Sequence, residues 1–326
     1  MIIVTGGAGF IGSAIVWGLN NLGISDILIV DHLGDGSKWK NLRNLKYVDY
    51  MEKTDFYNRV AANPDYIKCP TAIFHMGACS STTEVDMSYM IKNNFEYSIL
   101  LAEFARRKNI PFIYASSAAT YGDTVDFSDT MFSIPSLKPL NKYGYSKQMF
   151  DVWLMNHGFF KSGKTIGLKF FNVYGPNEYH KGDMRSFILK GYEEYTVDKK
   201  IRLFKNATEC RRDFIYIKDA VDMALFFLNQ IETKPGIYNI GSGTSTSWDC
   251  IAELIANCSV HPPKPISKIC KLIDMPDNIS TQYQRFTQAN ISKIKNLGYN
   301  KTIRTIKEGV EEYIQNYISS NKYLGD

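Results

Sequence analysis

The chain has 326 residues, 44% hydrophobic and 22% charged, a balance that excludes a largely disordered polypeptide and a length that favours two lobes over one core. Its 38 basic and 33 acidic residues are scattered without dense basic runs, so the net charge of +5 argues against a nucleic-acid partner and suits an anionic small substrate. No apolar run approaches bilayer-spanning length, no basic leader precedes the first strand and the six cysteines lack C-x-x-C spacing, so we expect a cytoplasmic protein with reduced thiols, no membrane association and no metal site.

The apolar start Met1-Ile2-Ile3-Val4 predicts a strand feeding the run Thr5-Gly6-Gly7-Ala8-Gly9-Phe10-Ile11-Gly12. Gly6 suits the tight turn, Gly9 lets backbone approach a pyrophosphate, and Gly12 lets the next helix, about residues 13–22, pack closely on the strand. That helix would turn unpaired N–H groups and a partial positive charge toward the phosphates. A second strand over 27–31 ends in Asp31, 19 residues beyond Gly12, where an acid bonds the adenosine ribose in dinucleotide-binding units.

Further β-rich runs at 72–76, 112–116 and 165–171 alternate with helical stretches, which means a parallel sheet. The expected fold is α/β, a Rossmann-type doubly wound sheet with its ligand crevice at the carboxyl ends of the strands. Beyond Gly175-Pro176 come a polar loop, a helix over 185–195 and a short segment at 214–217. A return to the sheet near 236–241, a proline-rich stretch at Pro262–Pro265 and a final helix near 305–318 complete the chain. We therefore place a dinucleotide-binding domain at residues 1–171, with a return segment near 212–245, and a smaller, mainly substrate-binding C-terminal α/β lobe at 172–326.

Tyr143 and Lys147 stand at i and i+4, so on a helix they share a face. A phenol is a poor base at neutral pH, but an ammonium beside it favours the phenolate. Tyr145 has no lysine at that spacing, which makes Tyr143 the preferred base. The pair follows a strand ending in Ser116-Ser117, whose hydroxyl can share a substrate alcohol with Tyr143 while its C–H faces a nicotinamide.

The glycine run, Ser117 before Ala118-Ala119-Thr120-Tyr121-Gly122, and Tyr143-Gly144-Tyr145-Ser146-Lys147 together resemble the extended short-chain dehydrogenase/reductases. Within them, the runs His75–Glu84, Tyr114–Gly122, Phe171–Pro176, His180-Lys181-Gly182 and Arg212-Asp213-Phe214 resemble the 6-epimerases of ADP-glycero-manno-heptose; Gly77-Ala78-Cys79-Ser80-Ser81-Thr82-Thr83-Glu84 is the most specific. The resemblance implies an isomerase that inverts C6 of ADP-D-glycero-β-D-manno-heptose by transient oxidation and re-reduction, supplying the lipopolysaccharide inner core. It implies a homo-oligomer, with close relatives forming rings of five. Tyr143 and Lys181 carry over as the two acid/base groups, Ser117 as hydroxyl donor and Lys147 as the cofactor-binding lysine. By its residue type alone, Lys181 would read as a solvated surface charge.

Asp31 by itself favours NAD, because it suits a free 2′-hydroxyl and repels a 2′-phosphate. Lys38 and Lys53 match family positions that contact NADP, and a lysine near the ribose offsets the aspartate, so NADP is expected over NAD. Phe10, Ile11, His32, Met76, Gly77, Ala78, Cys79, Ser80, Asn93 and Val173 carry over toward the cofactor. Asn172, Asp183, Lys190, Phe204, Lys205, Asn206, Ala207, Arg212 and Tyr283 carry over toward the sugar nucleotide. Met76, Asp183, Lys190 and Ala207 depart from the residues usual in the family, a difference that bears on specificity. Arg212 can fork onto a diphosphate, or it can pair with Asp213. A dehydratase of the same fold would need acidic residues where Ala118 and Ala119 stand, which leaves another sugar-nucleotide epimerase or reductase of the same family as the nearer alternative. A non-catalytic NADP sensor would usually lack the tyrosine-lysine pair.

Overall fold

The structure is a computed structural model describing residues 1–162, 164–230, 234–259, 265–276, 280 and 283–326. Seven parallel strands form the main sheet: β1 (Ile2–Thr5), β2 (Ile27–Asp31), β3 (Asp49–Glu52), β4 (Ala72–His75), β5 (Phe112–Ser117), β6 (Thr165–Phe170) and β10 (Gly236–Ile240). Their spatial order is β10-β6-β5-β4-β1-β2-β3. The chain runs outward from β1 to β3, then crosses back to place β4 on the other side of β1. That reversal opens a crevice at the carboxyl ends of β1 and β4.

Strands β1, β2, β4, β6 and β10 are buried along their whole length, as expected where helices cover both faces. Side chains alternate between two cores. Ile2, Val4, Ile27, Ile29 and Phe74 face one, together with Ala14, Ile15 and Leu19 of α1 (Phe10–Asn21). Ile3, Leu28, Val30 and Ile73 face the other, with Phe56, Leu101 and Phe150. This period of two is what the near-continuous apolar runs of the sequence encode.

The expected strands at 2–5, 27–31, 72–76, 112–116 and 165–171 and the return at 236–241 all appear, within a residue or two at their ends. The helix expected at 13–22 starts three residues earlier, at Phe10. Strand β3 was not expected, because Asp49-Tyr50-Met51-Glu52 is a sheet edge of mixed composition, exposed at Asp49 and half-buried beyond it, without the continuous apolar run of its neighbours.

After β6 a second sheet forms from β7 (Asn172–Tyr174), β9 (Arg211–Tyr216) and β11 (Ser245–Ser247), in the order β11-β9-β7. Strand β8 (Ile201–Phe204) pairs with β12 (Cys270–Ile273). The segment expected at 214–217 is the end of β9. The helix expected from residue 185 begins at Phe187, because the Ser186 hydroxyl accepts the Leu189 N–H as its cap. The final helix starts at Ile306 behind a Thr305/Glu308 capping box. Residues 262–264 of the proline-rich stretch lie outside the described residues. Among the described residues no helix is long and apolar enough to cross a membrane, no cluster of side chains suits a metal, and all six cysteines are free.

Candidate active site

A cleft of about 1390 Å³ lies over the carboxyl ends of the main sheet, where the turns after β1, β4, β5 and β6 meet the C-terminal segments. Phe10 and Ile11, at the start of the helix that follows the glycine turn, line it. Gly6 has φ +66°, and a Cβ there would sit 2.6 Å from Gly77 on the turn after β4. A Cβ on Gly12 would lie 2.0 Å from the Gly6 carbonyl oxygen, so the start of α1 can approach the turn only as glycine. Gly9 is the N-cap of α1 and supplies no side chain to its first turn. The cradle is therefore open backbone at a helix N-terminus, which fits a cofactor pyrophosphate.

Asp31 is buried at the end of β2, where its carboxylate accepts Ala8 N at 2.8 Å and His32 N at 2.7 Å. Lys38 donates to the same carboxylate at 2.5 Å. The acid expected to repel a 2′-phosphate is thus already matched by a cation. His32 pairs with Glu52 at 2.9 Å, and Lys53 at the start of the helix after β3 donates to Asn93 at 2.9 Å, on the helical stretch that follows β4. Met76, Gly77, Ala78 and Cys79 form the partly exposed turn after β4, and the exposed Ser80 lines the cleft with Phe10, Ile11 and Val173.

Ser117 ends β5, and Tyr143 and Lys147 lie on the helix Lys142–Asn156, N-capped by the Asn141 side chain. The Ser117 Oγ accepts Ala119 N at 3.1 Å, and the hydroxyl is hydrogen-bonded to the Tyr143 phenol. One expectation needs correction. Burial pushes the Tyr143 phenol above its ordinary value, and the opposing influence is the Ser117 hydrogen bond rather than Lys147. Lys147 donates to the Ala115 carbonyl at 2.9 Å, and burial lowers its own pKa to about 8, against the pull of Asp151.

Lys181 is half-buried, with its ammonium 5.2 Å from the centroid of the Phe10 ring. Burial lowers its pKa, Glu178 opposes that and Lys190 adds to it. It is no solvated surface charge: it lines the same cleft as Ser117 and Tyr143, with Asp183 and Lys190 beside it. Lys190 donates to the Asp183 carbonyl at 3.2 Å.

Toward the C-terminal wall, Asn172, Phe204, Asn206, Ala207, Arg212 and Tyr283 all line the cleft. Asn172 is held by the Asp213 carbonyl at 3.0 Å, and Phe204 meets Tyr283 edge to face. Lys205 is placed differently: its ammonium pairs with Asp274 at 2.7 Å and does not line the cleft. Arg212 does not pair with Asp213, whose carboxylate is filled by Ser242, Gly243 and Ala289. The guanidinium stacks over Tyr283 at 5.0 Å, its Nη1 donates to Gln284 at 3.3 Å, and its buried Nε has no hydrogen-bond partner among the described residues. A buried cation on a residue that lines a cleft fits an anionic ligand.

Three supporting residues escaped the sequence reading. Asn94 accepts Cys79 N at 2.8 Å and donates to Cys79 O at 3.0 Å, fixing the turn after β4. Glu178, fully buried, accepts from both Ser186 N and Ser186 Oγ and so closes the loop that carries Lys181. Gln284 bridges Arg212 to the turn after Ser117. Partners this far apart in sequence leave no local pattern to read.

The NAD dependent epimerase/dehydratase family matches residues 2–241. The ADP-L-glycero-D-manno-heptose-6-epimerase of Fusobacterium nucleatum is 44% identical over 337 residues, covering 99% of this chain and 100% of its own. A protein of the same name from Nitratidesulfovibrio vulgaris is 43% identical over 327 residues, covering 98% of each. The crystal structure of the Helicobacter pylori ADP-L-glycero-D-manno-heptose-6-epimerase superposes with a TM-score of 0.82 at 27% identity, over 97% of this chain and 95% of that one. The chain belongs to the NAD dependent epimerase/dehydratase family.

Proposed function

We propose that this chain is an isomerase that interconverts the C6 epimers of ADP-glycero-β-D-manno-heptose, with NADP preferred over NAD as its resident cofactor. The observation that carries this reading is that Ser117, Tyr143 and Lys181 open onto one cleft, together with Phe10 and Ile11 from the helix that follows the glycine turn. Full-length identity of 43–44% to proteins named for that reaction supports the substrate. The glycine turn and Asp31 would hold a nicotinamide cofactor, which would supply the reversible hydride acceptance that inversion at a carbinol carbon needs.

The chain's own part is to hold an alcohol and move its proton. Ser117 orients the hydroxyl and Tyr143 exchanges the proton at its phenol oxygen. Lys181 serves the sugar in its turned orientation, and the loss of hydration that lowers its pKa lets it act as base as well as acid. Lys147 holds the backbone of β5 at Ala115, and its remaining donors suit the cofactor ribose. Arg212, a cation on the cleft wall, suits the diphosphate. The Lys38 ammonium on Asp31 supports NADP, since a 2′-phosphate meets a neutralised carboxylate and a cation.

Incubating the purified protein separately with each C6 epimer, without added cofactor, and following proton NMR tests the reading. Each epimer should convert to the same mixture. Failure of both to convert, with NADP supplied, would overturn it. A homo-oligomer is part of the same reading and is measured by sedimentation.

A further inference from the structure

Gln284 sits on an irregular segment stitched to β9, where Arg211 N donates to Arg285 O at 2.9 Å and Thr287 N to Arg211 O at 3.0 Å. Its side chain spans the cleft wall. The amide oxygen accepts from Arg212 Nη1 at 3.3 Å, while the amide nitrogen donates to Ala118 O at 3.2 Å and Gly122 O at 2.8 Å. One amide is thus shared between two places: its oxygen on the Arg212 guanidinium and its nitrogen on the turn that directly follows Ser117.

That turn, Ala118–Tyr121, is coupled to the serine itself. Ala119 N donates to Ser117 Oγ at 3.1 Å, leaving the hydroxyl hydrogen for the phenol or a substrate oxygen, and Thr120 Oγ1 donates to Ser117 O at 2.8 Å. A tilt of the turn moves Ala119 N and re-aims the Ser117 hydroxyl. Gln284 controls that tilt from the far side, and does so from the same amide that holds Arg212.

We propose that Gln284 is a positioning residue that locks the diphosphate-facing Arg212 and the Ser117 turn into one rigid unit, so that a nucleotide-linked sugar gripped at Arg212 presents its alcohol in register with Ser117 and Tyr143. This rests on the reading of the cleft given under the proposed function. It predicts a particular division of effects. An amide that merely filled space would lower stability, kcat and nucleotide affinity together. A register device leaves the grip on ADP largely intact, because Arg212 and Tyr283 remain, but misplaces the reacting carbon.

The test is Gln284→Met, close in size but without the amide, measured for steady-state epimerisation, for ADP binding by titration calorimetry and for thermal unfolding. We expect kcat to fall about tenfold or more, with ADP affinity within about threefold of wild type. A kcat within about twofold of wild type overturns the proposal, and so does a parallel loss of kcat, ADP affinity and melting temperature. Gln284→Glu gives a second route if the first variant is poorly folded. It keeps an acceptor for Arg212 but sets a carboxylate against the Ala118 and Gly122 carbonyls, so it should also lose kcat; full turnover there overturns the idea. Arg212→Met is the control on the underlying reading. If that change leaves ADP affinity unaltered, the assignment of the nucleotide end fails, whereas the kcat result for Gln284 judges the link to Ser117 separately.

Discussion

Lys147 and Ala115 are joined across the interface of helix and sheet, the ammonium donating to the carbonyl at 2.9 Å two residues before Ser117. The lysine thus reaches past the phenol to the strand that carries the serine. A cation buried this deeply is costly, and its pKa falls to about 8. Below that pH both folded and unfolded chains carry the proton, so the full cost, on the order of 3 kcal/mol, is present at pH 7. Between about 8 and the ordinary lysine value near ~10.5 the folded chain releases its proton first, and the cost disappears. Lys147→Met should therefore stabilise the cofactor-free protein at pH 7 by about 1–2 kcal/mol after the lost hydrogen bond is counted. The gain should vanish near pH ~10. Urea unfolding at the two pH values measures it, and a variant less stable at pH 7 contradicts the argument.

Tyr143 is pushed toward its neutral form by burial, with the Ser117 hydroxyl pulling the other way. The base form is therefore scarce at neutral pH, and turnover should rise with pH through the neutral range. Tyr143→Phe should lower kcat by about 10²–10⁴ while cofactor still copurifies, as seen by absorbance of the released nucleotide. Ser117→Ala should act in the same direction but less, and should shift the rising limb upward, since it removes the influence that lowers the phenol pKa.

How far these arrangements could be read in advance depended on whether their causes were local. Ile2, Ile3 and Val4 alternate between two cores because a buried parallel strand has no polar face, and that shows directly in the sequence. The glycine run was equally plain, since only glycine tolerates the contacts at positions 6 and 12. Strand β3 was hidden by its mixed edge composition. Lys181 became a candidate only through its family resemblance, because nothing in one lysine announces the Phe10 ring across the cleft. The direction of the Tyr143 shift was misjudged from spacing: i and i+4 guarantees a shared face, while the ammonium on that face was claimed by a backbone carbonyl instead.

The close approach at Gly12 makes a sharp prediction for stability. A Cβ 2.0 Å from the Gly6 carbonyl oxygen cannot be relieved by a rotamer change, because the obstacle is backbone. Gly12→Ala should destabilise the fold by about 3 kcal/mol or more and abolish cofactor retention. Gly23→Ala is the comparison: Gly23 has φ +79°, which helical Gly12 does not share, and an added Cβ there meets nothing within 4 Å, so only backbone strain of about 1 kcal/mol is expected. Equal losses in the two would show that the close contact at Gly12 costs no more than the backbone strain at Gly23.

Cofactor choice turns on the pairing of Lys38 with Asp31. Lys38→Met leaves the carboxylate with its two backbone donors and no cation. A 2′-phosphate then meets uncompensated negative charge, whereas a 2′-hydroxyl meets a free acceptor. The ratio of NADP to NAD affinity should fall about tenfold or more, measured by titration of cofactor-stripped protein. An unchanged ratio would remove Lys38 from the selection.

Lys190 offers a test of how Lys181 is tuned. Burial lowers the Lys181 pKa first, the Glu178 carboxylate opposes, and the like charge of Lys190 lowers it further. Removing that like charge must raise it. Lys190→Met should therefore move the ionisation of Lys181 to higher pH. Glu178→Gln should move it to lower pH, because the opposing carboxylate is gone and burial is left unbalanced. Competitive labelling with acetic anhydride across a pH series, read by mass spectrometry of the peptide bearing Lys181, reports the ionisation without reference to turnover. If Lys181 is the second acid/base group, the limb of the pH–rate profile it governs should move in the same direction and by the same amount in each variant. Shifts of the same sign in the two variants would show that charge at these positions does not set the lysine's proton affinity.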